Sequence, residues 1–420
     1  MIIINSLISM GPSVMMPVIF FLLALIFGVK VGKAFKAGML IGIGFEGISL
    51  VIGLLLNSLG PAAQAMVERF GLNLTVIDSG WPVGATIGWG SPIVPFVVFG
   101  ALGINIIMLL LNLTKSVNID IFNYWHFLLT GGVVYAVTNS ILIATISCLI
   151  TFIIVLVIAD KTAPRIQKEF DLKGISFAHA TSAVYAPIGI LINWIIGKIP
   201  GLRKIEANPE TINNKFGIVG EPLTLGTILG VLLGILAGFN VTKILTLGIK
   251  VAAVMVLLPA MINVLVDGLV TVRDAAETSL KKRFPNREFY IGLDTALLVG
   301  DPAVLATGLL MIPAALLLAV ILPGNKVLPF VDLASLVFLI PMVTPYCKRN
   351  IFRIFISGLV ILTLILYAGS DIAVHFTKAA EIANVSLPEG VQESTGMTSL
   401  VGGATSPLGW LFIRLSMLFS

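Results

Sequence analysis

Long apolar runs alternate with short polar breaks along nearly the whole chain. Residues 13–28, 38–57, 92–113, 126–159, 222–238, 248–266, 303–322, 328–345 and 351–368 each approach or exceed the roughly 20 residues a helix needs to cross hydrocarbon. The pattern predicts about nine to eleven spans and an all-α polytopic membrane protein. Four segments interrupt it. Residues 78–92, 176–190, 291–302 and 398–410 are too rich in Gly, Pro and small polar residues for continuous lipid-facing helices. Non-helical backbone survives at membrane depth only where protein or a water-filled cavity satisfies it, so these four are expected to be re-entrant hairpins converging near the midplane. The first apolar run lacks a basic n-region and is read as a retained span rather than a cleaved signal.

Composition sharpens this picture. Hydrophobic residues make up 57% of the 420 and charged residues 11%, well below the roughly 25% charged of soluble domains. Only Cys148 and Cys347 occur, both in or beside apolar runs, so no disulfide framework or metal knuckle is expected and both thiols read as packing residues. The net charge of +5 reports orientation in a membrane chain rather than nucleic-acid binding.

Shifting the chain by about 210 positions reveals an internal repeat of the scale found in secondary transporters. Gly28 meets Gly238, Lys33 meets Lys243, Gly38 meets Gly248, Asn57 meets Asp267, and Ser91-Pro92 meets Asp301-Pro302. Ala180-Thr181-Ser182 recurs, at a larger offset, as Ala404-Thr405-Ser406. Lys and Arg crowd 30–36 and 161–173 in the first half but 270–290 and 348–353 in the second. Because cytoplasmic loops collect these residues, the bias flips between halves, as an odd number of spans per repeat requires. The expected architecture is two inverted repeats of about five spans, 1–212 and 213–420, joined by the basic linker 198–215. Loops 30–36, 160–175, 198–215 and 270–290 are expected to be cytoplasmic, and 58–77 and 370–395 external.

Ionisable groups inside such segments default to function. Asp294 and Asp301 stand out, followed by Asp78 and Glu221; a carboxylate accepting vicinal hydroxyls orients a sugar or polyol, although Asp301 before Pro302 equally suits an N-cap. His179, Thr181 and Ser182 offer an imidazole and paired hydroxyls among small residues, or else helix caps. His126 either joins the site or is anchored at the interface by Tyr124 and Trp125. Trp81 and Trp89 can stack on the C–H face of a polyol. His375 reads as a solvated loop residue, and the face of Glu46 is not legible. No nucleophilic triad, Walker loop, Cys-Xaa-Xaa-Cys or His-Glu-Xaa-Xaa-His is present, so the chain alone carries no catalytic machinery and calls for no cofactor or metal.

At Phe35–Phe45, Ser58–Met66, Asn118–His126, His179 with Thr181-Ser182-Ala183, Lys215–Pro222, Phe289–Asp294 and Leu322–Phe330, the chain resembles the galactitol-specific IIC membrane components of the sugar phosphotransferase system, in the ascorbate–galactitol superfamily. The resemblance covers nearly all 420 residues. It implies a multi-pass homodimer of the bacterial cytoplasmic membrane, with a V-motif-like scaffold domain and a core transport domain that moves like an elevator. It also implies a IIA and IIB relay, with IIB phosphorylated on its cysteine and donating to the bound galactitol or related polyol. His126, His179 and Asp294 fall in segments like those lining the superfamily's sugar site, and Trp89 and Ser91 in the first re-entrant loop. His179 or Asp294 would act as general base, His179 being favoured by an ordinary pKa of about 6.5. Lys281, Lys282, Arg283 and Arg287 form a basic patch for an acidic surface of IIB. Glu46 and Gly300-Asp301-Pro302 depart from the family pattern, and the chain stops at Ser420 where relatives are expected to continue into another span. The rival expectation is an ion-coupled secondary transporter of a polyol or small organic anion.

Overall fold

The computed structural model describes residues 12–71, 74–118, 120–211, 221–283, 287–329, 331–385 and 396–419. Helices dominate: α1 (Pro12–Ile26), α2 (Val31–Arg69), α3 (Trp81–Gly90), α4 (Val94–Leu110), α5 (Trp125–Thr138), α6 (Ile141–Phe170), α7 (Ala186–Lys198), α8 (Pro222–Leu236), α9 (Val241–Arg283), α10 (Ala296–Val299), α11 (Pro302–Ile321), α12 (Ile351–Ile382) and α13 (Pro407–Ser416). Among the described residues, α2, α6, α9, α11 and α12 are each long and apolar enough to cross a membrane. Helices α3 and α4 meet at a 91° bend, and three further apolar helices are shorter.

The helices sort into two groups. In the first, α1 packs on α2, α8 on α9, and α2 lies against α9. The last pair is antiparallel, since Ile41, Gly44 and Gly47 face Gly268, Leu265 and Met261 in turn. Small residues let the backbones close: a Cβ on Gly226 would stand 2.9 Å from Ala252 Cα, and one on Gly230 2.8 Å from Gly248 Cα. At the end of α2, Arg69 donates to the carbonyls of Ile235 and Leu236 at 2.7 and 3.0 Å, so a cation meets the exposed C-terminus of α8.

The second group surrounds α5, which is buried on almost every side among α3, α6, α12 and α13. The apolar run 126–159 is two helices. Asn139 adopts a left-handed conformation, φ 51°, that ends α5, and the Ser140 hydroxyl caps α6 by accepting from Ile143 N–H at 3.4 Å.

All-α describes most of the molecule, but six short strands build two parallel sheets. They are β1 (Val76–Asp78), β2 (Ser116–Asn118), β3 (Ile175–Ser176), β4 (Tyr290–Gly292), β5 (Val327–Leu328) and β6 (Met397–Thr398), in the orders β5-β1-β6 and β2-β4-β3. In each sheet the central strand comes from one half of the chain and both flanking strands from the other. The register pairs Ile77 with Leu328 and Met397, and Ile291 with Val117 and Ile175. Asn105 of α4 closes the free edge of β2, donating to Ser116 O and accepting from Asn118 N–H, both at 2.9 Å.

Three expectations change. Residues 328–345 are not a span: a 3-10 helix, Val331–Leu339, leads into turns, because Asp332 is fully buried and takes up backbone donors from two other segments. Its carboxylate accepts Trp81 N–H, Leu400 N–H and the Ser399 hydroxyl at 2.8 Å, and Val401 N–H at 3.1 Å. Helix α12 runs on to Ile382, so His375 sits on a helix, half-buried, and not in a loop. Helices α2 and α9 also continue well past the apolar cores at 38–57 and 248–266. Within the linker 198–215 and the loop 370–395, residues 212–215 and 386–395 lie outside the described residues, as do the side chains of Lys281, Lys282 and Arg283.

Candidate functional site

A cavity of about 340 Å³ lies between the two helix groups. One wall belongs to the first group and is almost wholly apolar: Met16 of α1 with Phe45, Ile48, Ile52 and Gly53 of α2, Ser49 being the one polar member. The other wall carries Asp120, Asn123, His126, His179 and Asp294, beside the indoles of Trp81 and Trp125.

The sheet β2-β4-β3 explains why those five residues converge. Its strands are parallel and side by side, so the segments leaving their C-terminal ends arrive together. After β2 come Asp120, then the 3-10 turn Phe122–Tyr124 holding Asn123, then His126 at the start of α5. Asp294 follows β4, with Oδ1 accepting Ala296 N–H at 2.9 Å. His179 follows β3.

The histidines form a polarised relay. Ser182 N–H donates to His179 Nδ1 at 3.4 Å, His179 Nε2 lies 3.1 Å from His126 Nε2, and His126 Nδ1 lies 2.7 Å from Thr181 Oγ1. The tautomers follow from this network. A backbone N–H can only donate, so Nδ1 of a neutral His179 is the acceptor and its proton sits on Nε2. His126 then accepts at Nε2 and donates from Nδ1 to the Thr181 hydroxyl, which passes its own hydrogen to Val401 O at 3.3 Å. Each imidazole carries one proton. Trp125 stacks on His126 with ring centroids 3.6 Å apart, holding the ring's plane. His179 Nε2 also lies 3.6 Å from Asp294 Oδ1, and Asn123 Nδ2 donates to Asp294 Oδ2 at 2.8 Å.

The residues singled out in the sequence therefore part company. His126, His179 and Asp294 line the cavity. Thr181 stands behind His126, and Ser182 donates to Phe338 O at 2.5 Å with Thr295 Oγ1 at 3.1 Å, so both hydroxyls hold the wall from outside. Trp89 and Ser91 are not among the lining residues: segment 81–90 is helical, which sends Trp81 to the cavity and leaves Trp89 at the far end of α3, with Ser91 buried at the bend near Gly132. Asp301 is also remote. It caps α11 through Ala303 N–H at 2.8 Å and pairs with Arg349 Nη2 at 2.7 Å, realising its N-cap reading. Asp78 joins the Asp332 cluster, accepting from its backbone N–H at 2.8 Å, and Glu221 precedes α8 in an exposed position. Glu46 points outward from α2.

Asp120 and Asn123 were not singled out, although the run Asn118–His126 carries them. Three polar groups spaced at 120, 123 and 126 signal a shared face of a helical turn. The strand that ends at Asn118 and sets this turn facing Asp294 is too short to read.

Residues 6–390 match the family of PTS system sugar-specific permease components. The chain is 41% identical over 410 residues to the PTS system galactitol-specific EIIC component of Escherichia coli strain K12, covering 97% of this chain and 89% of the relative. The same figures hold for the component of that name from Escherichia coli O157:H7. With its long apolar helices and this match along nearly its whole length, the chain belongs to the PTS sugar-specific permease components and is a multi-pass membrane protein of that family.

Proposed function

We propose that this protein is the IIC subunit that binds galactitol within the membrane, carries it inward and presents it to phosphorylated IIB. One observation carries the reading: among the described residues, every ionisable group of the cavity lies on the α5-centred wall, while the facing wall is apolar apart from Ser49. A polyol gripped by hydroxyl contacts to one body, against a greasy surface of the other, can travel with the first body as it slides past the second. That is the elevator division into core and scaffold. The interleaved strands support two inverted repeats, because each sheet exchanges a central strand for two flanking strands between the halves. Asp294 accepts from hydroxyls, held in place by Asn123, and Trp81 and Trp125 cover C–H faces.

Phosphoryl transfer joins the sugar oxygen to phosphorus, breaks the cysteine S–P bond of IIB and frees the hydroxyl proton. In the relay His179 accepts at Nδ1 from Ser182 N–H and donates its Nε2–H to His126, so neither nitrogen is open to the hydroxyl proton. Asp294, beside it, is the base of this proposal in place of His179. A homodimer is supported by α2, whose exposed Phe35, Met39, Ile43 and Leu50 form a stripe with Glu46 in it. A carboxylate in that position is costly against lipid, and a second copy would cover it.

Calorimetry on the purified protein tests the site. Losing a hydrogen bond to a charged group costs about 1.5–3 kcal/mol and a neutral one about 0.5–1.5 kcal/mol, so Asp294→Asn is expected to bind galactitol about ten- to a hundredfold more weakly and His179→Ala about two- to tenfold. Wild-type affinity in both folded variants would remove them from the site.

A further inference from the structure

Asp120 is not needed for the reading above, yet a chain of side-chain amides leads through it to Asp294. Asn105 Oδ1 accepts Asn118 N–H at 2.9 Å, Asn118 Oδ1 accepts Asp120 N–H at 3.2 Å, and Asn123 Nδ2 donates to Asp120 Oδ2 at 2.8 Å. The same Nδ2 gives its other hydrogen to Asp294 Oδ2 at 2.8 Å. One amide nitrogen therefore bridges two carboxyl groups, and Asp120 is only 6% exposed where it lines the cavity.

Two carboxylates on one amide, with no cation beside them, repel each other strongly in a buried place, so the pair keeps a proton. The donors decide where it sits. Asp294 takes Ala296 N–H as well as the Asn123 amide, and lies 3.6 Å from the protonated Nε2 of His179. Among the described residues, the donors to the Asp120 carboxyl come from Asn123 alone. Asp120 also lies outside the long apolar helices, in a turn where burial first and Asp294 second push its carboxyl above the usual carboxylate range. The Asn123 hydrogen occupies Oδ2, so the proton belongs on Oδ1. Nothing opposite offsets a charge here. The other ionisable groups lining the cavity are Asp294 and the two neutral histidines, with Tyr124 on the adjoining turn, and the α2 wall contributes none.

We propose that Asp120 is a positioning residue that works as a neutral acid, turning the Asn123 amide so that its second hydrogen holds Asp294, the carboxylate that meets the sugar hydroxyl. The inference rests on the polyol reading of the site. An amide with a neutral acceptor on one hydrogen and a carboxylate on the other has a single favoured orientation. With Asp120 ionised, the pair carries two charges and Asp294 is driven from the amide they share. The proton is held at and below neutral pH and lost on the alkaline side, so galactitol binding weakens as the pH rises.

The test is galactitol calorimetry on the purified full chain from about pH 6 to about pH 9.5, with thermal unfolding to confirm that each variant is folded. The wild type is expected to lose about tenfold in affinity between neutral pH and the alkaline end. Asp120→Ala leaves the Asn123 amide with one partner and is expected to weaken binding about two- to tenfold at neutral pH. Asp120→Asn supplies a neutral acceptor of the same shape with no proton to lose, and is expected to rescue the neutral-pH affinity and keep it at the alkaline end. If Asp120→Ala does not fold, the pH profile of Asp120→Asn decides. A wild-type affinity that does not change with pH, an alkaline fall that persists in Asp120→Asn, or a folded Asp120→Asn that binds at neutral pH about tenfold or more below wild type overturns the role of Asp120 and leaves the polyol reading intact. A wild type that binds no galactitol at any of these pH values overturns the polyol reading, and this inference with it.

Discussion

His126 illustrates how one backbone group can set the chemistry of a buried cluster. Ser182 N–H fixes the acceptor on His179, and the polarity then passes through two rings to Thr181 and Val401. Thr181→Val removes the acceptor for His126 Nδ1–H without touching the cavity. A neutral hydrogen bond is worth about 0.5–1.5 kcal/mol, so galactitol binding is expected to weaken about two- to tenfold by calorimetry, and an unchanged affinity would mean that the relay does not position His126. His126, His179 and Asp294 stand out in the sequence because ionisable groups in apolar surroundings are few and expensive, and all three line the cavity. Trp89 and Ser91 lie off the cavity lining, because a Gly- and Pro-rich segment gives no sign of which face of a short helix will meet the cavity. Asp301 had two readings of equal standing; it occupies the N-cap of α11 through Ala303 N–H and pairs with Arg349, 48 positions along the chain, a partner the sequence does not announce.

Among the elements, the long helices could be read from hydropathy, while the strands could not. A strand of two or three residues shows no alternation, so both sheets, and the way they bring segments together, were invisible beforehand. The expected span 328–345 failed for a related reason: its apolar residues are buried against protein instead of lipid, and Asp332 holds the start of the segment to Trp81 and to Ser399–Val401. Asp332→Asn keeps the shape but turns an acceptor towards donors into an amide. Loss of one charge-assisted bond costs about 1.5–3 kcal/mol, so the variant's unfolding temperature in detergent is expected to fall clearly, with galactitol affinity of the folded fraction unchanged. A wild-type unfolding temperature would show that this cluster does not hold together the segments that leave the β5-β1-β6 sheet. Close packing makes a sharper demand at Gly403, where a Cβ would collide with the carbonyl of His126; Gly403→Val is expected to displace the start of α5 and abolish binding, as read by the same calorimetry, and normal binding would contradict the packing described.

For the whole molecule, each sheet takes its central strand from one half of the chain and its flanking strands from the other, and the two helix groups meet at the cavity. The exposed stripe on α2 leads to a test of assembly. Cys148 and Cys347 are buried, so a cysteine placed at Ile43 or Met39 reports on its own; oxidation in native membranes is expected to link two copies, and monomers alone would take this face out of the dimer. In the proposed reaction galactitol leaves the site as its phosphate. Membrane vesicles containing the protein, supplied with labelled galactitol with and without phosphorylated IIB, measure it directly. Labelled galactitol phosphate is expected on the IIB side, formed only when phosphorylated IIB is present; unmodified galactitol accumulating without IIB, driven by an ion gradient, would overturn that reaction.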